Sequence, residues 1–139
     1  MKSLKILLVL IVAAVIGWLT WNYFAGPMSH KRDMRAFAAS VEQCEPMEAD
    51  IYMPISGLSM AHTVDGMSEN RCHVRIETLG PHEIQCAFAV EDLPVIAQGF
   101  VDLADQVDIF GGADIRISTS NPDPLTQALN SEACATVAE

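Results

Sequence analysis

The sequence predicts an α+β protein: an N-terminal transmembrane helix, then a small disulfide-stapled domain in which helices cover one face of a three-stranded antiparallel meander. Three observations carry this prediction. Residues 71–79 and 84–90 alternate apolar and polar side chains with period two. Residues 34–41 and 93–107 repeat apolar side chains at helical spacing. All four cysteines lie beyond an uncharged apolar segment at the start of the chain, the usage of a small exported domain.

The opening "MKSLKILLVLIVAAVIGWLTWNYFAGP" places Lys2 and Lys5 before a run without charge from Ile6 to Leu19. As a helix, the 22 residues from Leu4 to Ala25 rise about 33 Å, enough for a hydrocarbon core of about 30 Å. Trp18, Trp21 and Tyr23 gather at one end, where amphipathic rings settle at headgroup level. A signal peptide shares this pattern. However, cleavage after Ala25 would put Tyr23 at −3, and cleavage after Gly26 would put Phe24 there with Pro27 following; both are poor sites. Residues 1–26 are therefore expected to be an uncleaved anchor that enters the membrane through residues 4–25. Cleavage and secretion to the periplasm is the alternative.

Orientation is nearly balanced. Lys2, Lys5 and the amino terminus lie on one side, and Lys31, Arg32 and Arg35, offset by Asp33, on the other. The cysteines and the absence of lysine beyond Lys31 favour a cytoplasmic amino terminus. Residues 27–139 are then an acidic domain on the periplasmic side of a bacterial inner membrane crossed once.

Within that domain, Ser29 is a candidate cap for a helix whose apolar positions Met34, Phe37, Ala38 and Val41 form one face. It should stop near Cys44, because Pro46 disfavours helix in the residue before it. "MEADIYMPISG" reads as a short extended piece closed by a turn, "LSMAHTVD" as a first strand, and "DGMSEN" as a loop. In "RCHVRIETL", Cys72, Val74 and Ile76 point inward, while His73, Arg75 and Glu77 point outward. After the "GPHE" turn, Ile84, Cys86, Phe88 and Val90 form the next inward row. Asp92 precedes a helix with Pro94 in its first turn and a stripe of Leu93, Ile96, Ala97, Phe100, Val101, Ala104 and Val107. Gly111 and Gly112 end that excursion, "ADIRIST" suggests a short strand, and "NPDPLTQALNSEAC" suggests a final helix ending at Cys134.

Charge excludes one class of function. From Ala36 onward there are 17 acidic residues and three basic ones (Arg71, Arg75 and Arg116), a net of −14. A phosphate backbone needs cationic neutralisation, so no nucleic-acid partner is expected.

Four cysteines suggest two disulfides and allow three connectivities. A metal site of Cys72, His73, His82 and Cys86 is disfavoured, because alternation sends His73 to the face opposite the cysteines and leaves His82 in the turn. With the turn centred on Gly80, Cys72 lies opposite Phe88 and Cys86 is its diagonal neighbour on the same face. The favoured pairing is Cys72–Cys86 with Cys44–Cys134. Its rival is Cys44–Cys86 with Cys72–Cys134.

Other motifs are weak. "GLSMA" approximates a nucleophile elbow at Ser59, but a strand continues where a helix is required. "HEIQC" resembles a zincin motif without its second histidine and with strand rather than helix period. Met53, Met60, His62 and Met67 are candidate Cu(I) ligands, since thioether and imidazole suit that ion; methionine is equally an ordinary filler of cores. Asp102, Asp105, Asp108 and Asp114 lack the spacing of a calcium loop.

No catalytic residue and no cofactor is assigned. The function expected is a membrane-tethered, non-catalytic cell-envelope protein, a protein-binding or accessory assembly module. The alternative is a periplasmic thiol-redox or Cu(I)-handling protein.

Overall fold

The computed structural model describes residues 2–53, 56–107 and 123–138. Helix α1 (Lys2–Phe24) exposes its apolar side chains from Leu4 to Phe24, with only Asn22 buried. It is long and apolar enough to cross a membrane, as an anchor or a signal sequence would be. After Gly26, α2 (Pro27–Gln43) begins with a proline in the position where a missing N–H is harmless. Ser29, expected as the cap, lies inside the first turn instead, where its Oγ donates to the Gly26 carbonyl at 2.7 Å. The predicted stripe of Met34, Phe37, Ala38 and Val41 is buried throughout. Cys44 ends the helix in the left-handed region, its N–H returning to the Val41 carbonyl at 3.1 Å.

The sheet has five strands rather than three: β1 (Met47–Met53), β2 (Leu58–Ser68), β3 (Arg71–Glu77), β4 (His82–Ala89) and β5 (Cys134–Ala138). All are antiparallel and lie side by side in chain order. The predicted meander is its centre, and the extended piece before it is the edge strand β1. β2 runs on through the expected loop by means of a bulge between Val64 and Gly66. Gly66 has φ +100°, and a Cβ there would sit 3.2 Å from the Pro46 side chain, so glycine is required. The loop shrinks to Glu69 and Asn70, both with positive φ, the pattern of a type I′ hairpin.

The far edge departs most from expectation. Helix α4 is only Pro124–Leu129, capped by Asp123, whose carboxylate accepts from the Thr126 N–H at 2.9 Å. The chain then turns, and Cys134 begins β5 rather than ending a helix. Helix α3 (Leu93–Asp105) follows its predicted stripe, with Val101 only partly buried. Asp92 holds the cap position without a side-chain bond. A single 3-10 turn over Val90–Asp92 leads in, so Val90 leaves the inward row and is 44% exposed. α4 comes so close to α3 that a Cβ on Gly99 would lie 2.5 Å from that of Leu125. "ADIRIST", Gly111 and Gly112 lie outside the described residues.

One face of the sheet is covered. Ile51, Val64, Cys72, Val74, Ile76, Cys86 and Phe88 form the core with the apolar faces of α2 and α3. The disulfides are Cys44–Cys72 and Cys86–Cys134. Neither the favoured pairing, Cys72–Cys86 with Cys44–Cys134, nor its rival is present. Register is the reason. The hairpin sets Cys72 opposite Phe88 and Cys86 opposite Val74, leaving the two inward cysteines diagonal. Each has a nearer partner: Cys134 lies directly across from Cys86 on β5, with Cα atoms 4.0 Å apart, and Cys44 meets Cys72 from the end of α2 at 5.7 Å.

Peptide mapping without reductant is expected to return Cys44–Cys72 and Cys86–Cys134 and no crossed pair. The sequence separations of 28 and 48 residues imply loop-closure contributions of about 3.6 and about 4.1 kcal/mol. Replacing either pair with alanine should lower the urea-derived stability by roughly 3–4 kcal/mol. Glu69→Asn, which suits positive φ better, should raise it by about 0.5–1 kcal/mol.

Candidate functional site

Among the described residues helices cover one face only, and the other face of the sheet carries the alternate side chains. Glu48, Thr63, Arg75 and Gln85 lie in register across four strands, and Asp50, Ala61, Glu77 and Glu83 form the neighbouring row. Arg75 grips Asp65 with two bonds, Nε to Oδ2 at 2.8 Å and Nη2 to Oδ1 at 2.7 Å. Glu83 lies 4.0 Å from its remaining terminal nitrogen and accepts from Gln85. The Ala61 N–H donates to Glu77 Oε2 at 2.9 Å. The bond from Arg75 holds the Asp65 carboxyl below its usual range, although both side chains are largely solvated. Glu48, Ala61, Thr63, Arg75, Glu77 and Glu83 line a shallow depression of about 230 Å³. It offers carboxylate acceptors around one engaged guanidinium, a set suited to recognising a polar or cationic surface.

A second depression, of about 300 Å³, lies between α4 and the β4–β5 edge. Ile84, Leu129, Cys134 and Thr136 line it, together with Thr126, Asn130 and Ala135. No sequence signal pointed here, because it depends on β5.

The structure brings together only some of the residues that the motifs singled out. Met53, Met60 and His62 share the covered side of β1 and β2. Met67 lies seven positions beyond Met60, about 23 Å along a strand, opposite Cys72 and 51% exposed. The His62 ring is buried, bonds the Met60 carbonyl through Nδ1 at 2.9 Å, and meets Phe37 edge-on. Burial pushes its pKa down, opposed by that bond and by Glu77.

His73 sits across from Ala87 on the uncovered face, and His82 opens β4, so neither joins the disulfide-bonded cysteines. Among the described residues no three His, Cys, Asp or Glu side chains converge as metal ligands. Ser59 lies within β2 opposite Tyr52, with strand on both sides. Asp102 accepts from Gln98, and Asp105 pairs with Arg35 and Lys31 of α2. Asp108 and Asp114 lie outside the described residues. No family model matches the chain, and no curated protein or solved structure was found to match it.

His62 generates a pH prediction. Its folded pKa is below the unfolded value of 6.5, so the unfolded chain binds the proton first. Stability should hold above that pH and decline as pH falls through it, by at most about 1.4 kcal/mol per unit. Urea titrations from pH 7.5 to 5 should show this slope in the parent and a flatter one in His62→Gln.

Proposed function

We propose that the chain is a membrane-tethered, non-catalytic cell-envelope protein that binds a protein partner or helps assemble a complex. On this reading residues 1–26 are the anchor, in the membrane through residues 4–25. Residues 27–139 stand on the periplasmic side of a bacterial inner membrane. The observation that carries the reading is the pairing of an uncovered apolar helix with a one-sided sheet. Among the described residues nothing covers the apolar surface of α1, while the other face of the sheet carries a shallow, polar depression. Two disulfides in so small a domain support an oxidising compartment.

The junction between anchor and domain supports it further. Only Ala25 and Gly26 separate the two helices, and the Ala25 N–H still bonds the Trp21 carbonyl at 2.9 Å. A Cβ on Gly26 would sit 2.8 Å from the Asn22 Cα, so the chain is closely packed there. The Arg32 guanidinium lies 5.9 Å over the Tyr23 ring. Arg35 and Lys31 tie α2 to Asp105 of α3. A tether of this kind holds the domain close to the membrane and raises its local concentration for any partner there. The acidic charge argues against nucleic acid. Thiol-redox chemistry keeps one supporting observation: Cys134 lines the depression beside α4.

Alkylation in intact membranes without reductant, followed by intact mass, tests the reading. No labelled thiol is expected. Four labelled thiols would place the domain in the cytoplasm and overturn it, and two would bring the redox alternative forward. A photo-crosslinking residue at Thr63 and another at Thr136 should each be scanned for adducts in the same membranes. Absence of any adduct would count against a binding role.

A further inference from the structure

We infer that the edge of β5 left unpaired among the described residues is a strand-addition site for an extended partner segment whose side chains alternate between apolar and basic. This rests on the binding role proposed above and names its surface. The two edges of the sheet differ. β1 carries Glu48 and Asp50, and His30 of α2 stacks on its Tyr52 with ring centroids 4.5 Å apart. Charges of that sort discourage pairing at an edge. β5, "CATVA", has no charge and no proline, is exposed from Ala135 to Ala138, and pairs on one side only among the described residues.

Backbone parity shows what the open side offers. The Ala87 N–H donates to the Ala133 carbonyl at 2.8 Å, which fixes the alternation with β4. Ala135 and Val137 turn their backbone groups toward β4; Thr136 and Ala138 turn theirs outward. The inward side chains of an added strand would reach the 300 Å³ depression, where Ile84 and Leu129 give apolar contact beside the hydroxyls of Thr126 and Thr136. Strand addition combined with a side-chain pocket supplies affinity from the backbone and selectivity from the pocket.

Charge decides the occupant. A second copy would bring another domain of net −14 from Ala36 onward against the first. An incoming segment with basic side chains on its other row would instead meet Glu132 before β5 and Glu83 across from Val137. A basic partner segment is favoured over self-association.

The test uses full-length protein in phosphatidylcholine nanodiscs and, as probe, a fluorescent, acetylated octapeptide of alternating valine and lysine. Binding is expected, at least tenfold weaker for the valine–glutamate counterpart and at least tenfold weaker for Thr136→Pro. That variant removes an outward N–H while leaving every β4–β5 bond in place. If it fails to fold, the same loss is expected when the peptide is N-methylated along its pairing edge. Equal binding to Thr136→Pro and to the N-methylated peptide would mean attraction by charge alone and overturn the proposal. No binding at all, or crosslinks between copies from Thr136 without peptide, would also overturn it. Adducts from Thr63 with none from Thr136 would remove the edge site and leave the binding role standing.

Discussion

Phe37 is the contact on which the rest of the fold depends. Its side chain is fully buried, and its ring meets His62 of β2 edge-on at 5.3 Å and Phe100 of α3 at 5.2 Å. One residue thus joins the first packed helix, the sheet and the second packed helix. Edge-to-face geometry is the favoured arrangement of such rings and adds to the area they bury. A buried aromatic side chain of this kind typically carries about 3–5 kcal/mol, a large part of the stability of a small domain. The imidazole of His62 is tolerated there because Nδ1 finds the Met60 carbonyl and the ring itself packs as an aromatic.

Around that contact, the β3–β4 hairpin is the covalent hub. Cys72 fastens it to the end of α2, and Cys86 fastens it to β5. The second bridge secures an element that packing alone would hold weakly. β5 is five residues of mostly small, exposed side chains, and its attachment to β4 is the only strand pairing it has among the described residues. The Cys44 end of α2 comes down over the bulge, where the Cys44 carbonyl and the Pro46 ring crowd Gly66. The bulge, the left-handed residue at Cys44 and the Cys44–Cys72 bridge are therefore one arrangement.

Much of this was legible in the residues. The inward rows of β3 and β4 and the helical stripes follow from periodicity, which is a local property, whereas the Gly80-centred register was one of two the turn allowed. The disulfide pairing did not follow, because it depends on which distant strand lies next to Cys86, and β5 carries almost no signal of its own. Ala135, Thr136, Val137 and Ala138 lack alternation, and nothing in them marks a strand after the helix expected to end at Cys134. The far half of β2 is hidden for a related reason: Asp65 and Gly66 look like a turn, and only pairing with β3 turns them into a bulge. Of the candidate site, the outward placement of Arg75 was legible, whereas its grip on Asp65 depended on the bulge.

The two faces and two edges of the sheet have distinct roles as a result. One face is consumed by the core, and β1 is guarded by carboxylates and a ring stack. Among the described residues, what stays open is the polar face and the β5 edge. With α1 in a membrane, the domain's own negative charge would push it from an anionic surface, against the close packing of the α1–α2 junction at Gly26. Lys31 and Arg35, the cations nearest the junction apart from Arg32, are already engaged by Asp105. They serve to lock α2 on α3 rather than to draw the domain down onto lipid. On the membrane-tethered reading proposed above, the close-packed α1–α2 junction and the Arg32–Tyr23 contact would limit how far the domain swings from α1, while the ion pairs to Asp105 hold α2 on α3.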